Sequence, residues 1–264
     1  MTKHIQTRSS RARLGLTKVA LAMAGSLALL GSAPAAAAVM NFESQLPSAL
    51  NGGDVIVENG FQLKVLDYAG PGGTSGAGGI GNSLDPNTCE LAACPVGNNS
   101  LVYFGINDGS VEISRLGIWS TFTLRGFDFA FLAPIGNLAP GSYGQLLLSA
   151  TTQAGAILST ALDLPPVNGD GKPTFGRSVL PADFLKETLT SLSMRACVND
   201  GTSCIVPDDD SPFVNQAQFA LDNIDLGEVP EPGTMALIGL GMGALALRRR
   251  KTAAAAAAAA TINA

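Results

Sequence analysis

Between residues 39 and 228 the apolar positions fall in short runs, often alternating with polar ones and bounded by Gly, Pro, Asn or Asp. A two-residue period puts one side of the chain in a core and the other in water, so it predicts half-buried strands. The runs are Val39–Glu43, Asp54–Glu58, Phe61–Asp67, Leu101–Phe104, Val111–Arg115, Thr121–Leu132, Tyr143–Ala150, Ile157–Leu162, Thr188–Ala196 and Gln216–Leu226. Asn59-Gly60 predicts a hairpin between the second and third, and Asn107-Asp108-Gly109 predicts another hairpin turn. In the sixth run the core face reads Phe122, Leu124, then Phe127, Phe129 and Phe131. Its parity slips near Gly126, which predicts a bulge or bend there. Pro181–Lys186 is the one helical turn, with proline early and an acid in its first turn. The glycines at 70, 72, 73, 76, 78, 79 and 81 follow neither dinucleotide nor P-loop spacing and predict a flexible surface loop. Many short strands and few helices predict an all-β fold, two antiparallel sheets packed face to face.

Outside that region the pattern changes. Lys3, Arg8, Arg11, Arg13 and Lys18 lead into the apolar run Val19–Leu30, and Ala36-Ala37-Ala38 follows. That order is a secretory signal peptide, cleaved by signal peptidase just before Val39, because the apolar run falls short of the roughly twenty residues of a membrane span. No cysteine marks a lipoprotein anchor there. At the other end Val229-Pro230-Glu231-Pro232 cannot join a helix or a central strand, since proline lacks a donor and restricts its predecessor. The apolar segment Gly233–Leu247 that follows would span only about 22 Å as a helix, against roughly 30 Å of hydrocarbon. Arg248-Arg249-Arg250-Lys251 would hold its end on the cytoplasmic side. It reads as a C-terminal apolar helix inserted transiently in the inner membrane. The chain therefore divides into a signal peptide (1–38), a sandwich domain (39–228), a sorting signal (229–251) and an Ala-rich tail (252–264).

Motif, apolar segment and basic cluster, in that order, resemble the PEP-CTERM signal of Gram-negative bacteria. The resemblance implies that Val229, Pro230, Glu231 and Pro232 are recognised by exosortase, a transpeptidase-like membrane enzyme, and that the product reaches the cell surface or the extracellular space. Gln218, Phe219 and Asp222 resemble the Gln-Phe-x-x-Asp signature of one group of such proteins. Met40-Asn41-Phe42-Glu43 and the closing run Gln218–Leu226 resemble the first and last strands of exported jelly rolls, including carbohydrate-binding modules. This implies a jelly-roll topology and a structural calcium (Ca2+) held by Glu43 and Asp222. The other reading of Asp222 is a carboxylate that accepts backbone amides or caps a turn. Proteins with this signal accompany exopolysaccharide production, which implies a non-catalytic, structural or glycan-associated role in an extracellular matrix or biofilm.

Charge and chemistry narrow the alternatives. The whole chain sums to −5, but residues 39–228 hold seven basic and twenty acidic residues and stand at −13. Such a surface repels phosphate backbones and disfavours nucleic acid. The only histidine is His4, inside the signal peptide, so the mature protein has no Ser-His-Asp or Cys-His catalysis and no His-containing zinc site. A carboxylate-dependent polysaccharide hydrolase stays open, with Glu112 and Asp128 as one conceivable pair. So does an ice- or carbohydrate-binding module, although no Thr-x-Thr ladder appears. Trp119, Tyr68, Tyr103 and Tyr143 are the aromatics that could stack on sugar, with Trp119 reading more as sheet core. Asp208-Asp209-Asp210 reads as a solvated loop, since successive acids cannot all face one ion. Four cysteines in an exported chain predict disulfides, and short separations favour Cys89–Cys94 and Cys197–Cys204. Asp222 is the acid to watch. Phe219 and Leu221 share one face, while Ile224 and Leu226 share the parity of Asp222, so both faces look buried around an unpaired carboxylate.

Overall fold

The computed structural model describes residues 37–67, 77–85, 88, 93–117, 120–133, 139–207 and 213–228, with the helical positions 239, 241–243, 245 and 249. Two compact units separate, one spanning 36–229 and the other made of the two termini. The first unit contains the strands. They are β1 (Ala37–Met40), β2 (Ser48–Leu50), β3 (Val55–Glu58), β4 (Phe61–Leu66), β5 (Gly78–Asn82), β6 (Leu101–Gly105) and β7 (Ser110–Arg115). Then come β8 (Phe122–Phe131), β9 (Gly144–Thr152), β10 (Ile157–Asp163), β11 (Gly176–Arg177), the helix α1 (Ala182–Lys186), β12 (Leu189–Asn199), β13 (Cys204–Ile205) and β14 (Phe219–Glu228). In the second unit, among the described residues, no helix is long and apolar enough to cross a membrane.

Every strand pair is antiparallel, and the ladder folds over itself at one rung, Leu189 opposite Phe122. On one side of that rung the order is β2-β5-β6-β14-β8-β11, with β1 continuing the β6 edge of β14. On the other it is β3-β4-β7-β12-β9-β10. The chain runs out through β6, β7, β8 and β9, reverses at the β9–β10 hairpin, and returns through β10, β11, β12 and β14. Each returning strand pairs with its outgoing counterpart: β10 with β9, β11 with β8, β12 with β7, β14 with β6. A long hairpin rolled in this way is a jelly roll, as expected. The core lies between the sheets, where Phe61 of β4 meets Phe122 of β8 edge-on at 5.7 Å. A smaller cluster of Val102, Phe104, Ala130, Leu132 and Ala220, with Phe175 packed on it, covers the outer face of the first sheet.

A strand overlaps each of the ten expected runs, the first only at Val39–Met40, and in β3 and β4 the buried positions keep the two-residue period. Asn59 (φ 49°) and Gly60 (φ 82°) make the expected turn of the β3–β4 hairpin. Asn107 and Asp108 also turn with positive φ, but β6 and β7 lie in different sheets. That turn is a corner between sheets, not a hairpin, and the Asp108 carboxylate pins it by accepting the Ala217 N–H at 2.8 Å. The first strand ends at Met40, and Phe42 turns with φ 62° into the core.

Part of the glycine run is not a loop. Gly78, Gly79 and Gly81 belong to β5, which pairs with β6 and β2. A Cβ on Gly78 would meet the Tyr103 hydroxyl at 2.5 Å, so the missing side chain is what lets this strand lie against the ring. The glycines at 70, 72, 73 and 76 lie outside the described residues.

Cys197 and Cys204 form the expected local disulfide, closing the β12–β13 turn. Cys94 is also disulfide-bonded, and its expected partner Cys89 lies outside the described residues. Replacing Cys197 and Cys204 by serine should lower stability by about 2–3 kcal/mol, since a short loop removes little unfolded-state entropy. Denaturant melts measure the loss. Non-reducing peptide maps should return a Cys197–Cys204 peptide, and a cross-link from either to another cysteine would contradict the assignment.

Candidate functional site

Two irregularities face each other across the β8–β14 pair. Asp222 sits opposite Asp128 and Asp225 opposite Gly126, so Asn223 and Ile224 together oppose Phe127 alone. Asn223 takes a left-handed conformation, φ 47°, which asparagine tolerates better than most residues. This bulge resets the parity of the closing strand. Leu221 and Ile224 both point into the core, and Asp222 points to the outer face with Ala220. The shared parity expected for Asp222, Ile224 and Leu226 is therefore broken by one inserted residue. On β8 the register shifts again between Leu124 and Gly126, where the slip was expected. Gly126 leaves room for a neighbour: a Cβ there would stand 3.0–3.3 Å from the Arg177 guanidinium.

The side chains around these bulges form one network. Asp222 is fully buried. Its Oδ2 accepts from Asn98 Nδ2 at 2.6 Å, Ser100 Oγ at 2.8 Å and Asn223 Nδ2 at 3.2 Å, while Oδ1 accepts the Asn223 backbone N–H at 2.7 Å. Asn223 Nδ2 also donates to Asp128 Oδ2 at 2.9 Å. Arg177 Nη1 donates to Asp128 Oδ1 and to the Asn223 carbonyl, each at 3.2 Å. Two carboxylates directly opposite on neighbouring strands repel, and here the Asn223 amide bridges them while Arg177 pairs with Asp128.

Burial in the low-dielectric interior pushes the Asp222 carboxyl above its ordinary value, against its hydrogen bonds, and the charge of Asp128 adds to the rise. A detail of the geometry agrees. Ser100 Oγ contacts both Asp222 Oδ2 and Asn98 Oδ1, yet a hydroxyl has one proton.

Glu43 and Asp222, expected to share calcium, grip adjacent parts of one segment. Glu43 Oε1 accepts the Leu101 N–H at 3.0 Å, next to Ser100. Glu58 is nearby: its Oε2 accepts the Phe42 N–H at 3.1 Å, and burial chiefly, then the charges of Asp222 and Glu43, raise its carboxyl. In this arrangement Asp222 accepts from the Asn98 and Asn223 amides and the Ser100 hydroxyl, and Asn98 Oδ1 and Ser100 Oγ are the oxygens beside it. Among the described residues no three acidic, histidine or cysteine side chains converge as metal ligands. The structure thus displays Asp222 as an acceptor, chiefly of side-chain donors that the sequence reading did not name.

Above this network opens a cleft of about 380 Å³, lined by Asn98, Asn99, Asp128, Phe175, Arg177 and Asn223. Of these only Asp128 stood out in the sequence. Asn223 carried a signal, the break in alternation after Asp222; Asn98, Phe175 and Arg177 arrive from other strands and loops and carried none. A second groove, of about 590 Å³, crosses the outer face of the other sheet, where Ser193, Ser149 and Ser159 share one rung. Leu147, Arg195 and Ala161 occupy the next rung, so the hydroxyls form no continuous lattice.

Other expected residues fall elsewhere. Glu112 lies on β7 between buried Val111 and Ile113, and Asp128 on β8 between buried Phe127 and Phe129. The two point from opposite outer faces of the sandwich and cannot flank one glycosidic bond. Tyr103 is buried between Phe42 and Phe219, and Tyr143 stacks on Phe131 with ring centroids 5.8 Å apart. Tyr103 is therefore closed to a sugar, while Tyr143 is half-buried. Trp119, Tyr68, Asp208, Asp209, Asp210 and the segment Val229, Pro230, Glu231, Pro232 lie outside the described residues.

Residues 228–251 match the PEP-CTERM protein-sorting motif, the recognition signal of exosortase, so the chain carries the address of an exported protein. No curated protein matches the chain. Among solved structures it is similar to a carbohydrate-binding module, CBM61, in complex with β-1,4-galactotriose (10 % identity, 63 % of this chain and 88 % of that one, TM-score 0.30). It is similar to a non-crystalline-cellulose-specific module, CBM28 (10 %, 64 % and 89 %, 0.34), and to the Stig cyclase Fisc from Fischerella sp. TAU (15 %, 74 % and 99 %, 0.33).

Asp222→Ala should cost about 1–3 kcal/mol by orphaning the Asn98 and Asn223 donors. Calcium or chelator should leave the melting temperature of the wild type unchanged; a calcium-dependent rise lost in the variant would restore the metal reading. The pH dependence has a definite sign. Burial raises the carboxyls of Asp222, Glu58 and Asp108. Their contribution to stability is full below the unfolded-state value and is lost as pH rises through the raised one. Melting temperature should therefore climb on mild acidification from neutral pH, and Asp222→Ala should reduce that climb.

Proposed function

We propose that this chain is an exported surface protein, delivered by exosortase, whose jelly roll serves as a non-catalytic glycan-holding module in an extracellular polysaccharide matrix. The observation that carries the reading is the placement of the sorting motif. It begins at Glu228, the last residue of β14, so the sandwich is the cargo that the address delivers. The open surface of that cargo supports a polar, uncharged polymer as partner. Its cleft offers amides, one carboxylate and one guanidinium, which match sugar hydroxyls as donors and acceptors. Hydrolysis finds less support. It needs two carboxyls flanking the bond, and Asp222, the acid paired with Asp128, has no exposed surface.

The N-terminal address completes the route. β1 pairs Ala37 with Gly227 and Ala38 with Leu226, beside the start of the sorting motif. Cleavage just before Val39 would remove two of the four rungs of β1.

Mass spectrometry of the exported protein should find neither His4 nor the Arg248–Lys251 cluster. A full-length chain resident in the inner membrane of a host with active exosortase would contradict the delivery route. In affinity electrophoresis the exported protein should be retarded by the exopolysaccharide of the producing cell without releasing reducing sugar from it. Sugar release that survives purification would favour the hydrolase instead.

A further inference from the structure

The cleft over the β8–β14 bulges is more specific than a generally polar surface. Its groups are fixed before any ligand arrives. Arg177 is held by Asp128 and by the Asn223 carbonyl, and the Asn223 amide is held by Asp128 and by buried Asp222. Side chains already immobilised lose little entropy on binding. The backbone shows the same commitment. Asn223 sits at positive φ, a conformation that in non-glycine residues clusters at functional sites. Gly126 keeps the space that the guanidinium occupies. Bulges commonly re-aim side chains toward sites, and here two of them open one cleft.

Charge selects the ligand. The guanidinium of Arg177 is matched by Asp128 at 3.2 Å, so it brings no free positive field to an anion. Around it residues 39–228 stand at −13, which repels uronates, sulfates and phosphates. Capacity remains in Arg177, half-exposed with further N–H groups, in the second lone pairs of the Asp128 oxygens, and in Asn99, exposed on the rim. Planar donors and acceptors side by side suit adjacent hydroxyls. Phe175, packed on the Val102–Ala130 cluster, supplies an apolar wall for a ring. The volume stands at the small end of ligand sites, about 300–1,000 Å³. Resting on the glycan reading above, we infer that this cleft binds a neutral pyranose unit of a polysaccharide, with Arg177, Asp128 and Asn99 as the recognising residues and with Asn223 and buried Asp222 as the groups that position them.

The test uses the exported protein in affinity electrophoresis against soluble dextran, galactan, xylan and mannan, with alginate as the anionic counterpart. Arg177→Ala removes the guanidinium. Asn223→Gly removes the amide while keeping positive φ accessible, so it guards against a variant that fails to fold, and melting curves verify both. Glu112→Gln, on the opposite outer face, is the control. At least one neutral polymer should retard the wild type and the control equally, with tenfold or greater weakening in each cleft variant and weaker retardation by alginate. Retardation by a neutral polymer that both folded cleft variants retain would overturn the cleft while leaving the glycan reading intact. Stronger binding of alginate, lost with Arg177, would overturn neutrality. No retardation by any of the five polymers would overturn the cleft assignment, and the glycan reading would fall with it only if the producing cell's own exopolysaccharide also fails to bind.

Discussion

The antiparallel ladder between β14 and β8 is the constraint on which the rest of this structure depends. It joins the last strand of the chain to the middle of the roll, and β6 and β1 add to its other edge. Its inner side contributes Phe219, Leu221, Ile224 and Leu226 from one strand and Phe122, Leu124, Phe127, Phe129 and Phe131 from the other, all in the main core. Ladder hydrogen bonds hold the two strands in register while apolar burial holds the pair against the second sheet. Because the closing strand pairs with the opening one, the fold is complete only when the segment next to the sorting signal has been laid down.

The same ladder carries the polar chemistry. A regular pair would have left Asp222 and Asp128 as facing like charges with nothing to separate them. The inserted residue at Asn223 turns an amide between them, and Arg177 approaches over Gly126 because no Cβ blocks it. Desolvation still dominates at Asp222 and raises its carboxyl. The network thus trades some stability at neutral pH for a fixed arrangement of amide, carboxylate and guanidinium at the surface.

Electrostatics on the larger scale agrees with an exported role. A sandwich with twenty acids, seven bases and no histidine resists anionic polymers and lacks imidazole chemistry. Its cross-links are local, as at Cys197–Cys204, so they staple turns while the core supplies the stability.

The sequence by itself determined most of the longer strands, because apolar alternation is a local property, while β2, β5, β11 and β13 carried no such signal. It also determined the bulge at Gly126, since Leu124 and Phe127 cannot both face inward along a regular strand. The sorting address was legible for the same reason: motif, apolar segment and basic cluster are contiguous. What only the tertiary structure decided was which strands meet. Asn107-Asp108 has the turn chemistry of a hairpin, yet it rounds a corner, because β7 finds its partners in β4 and β12 rather than in β6. Gly78 reads as loop until Tyr103 of the neighbouring strand needs the space that a side chain would fill. The cleft was hidden for the same physical cause. Asn98, Asp128, Arg177 and Asn223 are separated along the chain by dozens of residues, and no local pattern marks a set of side chains that only the pairing of β8, β11 and β14 brings together.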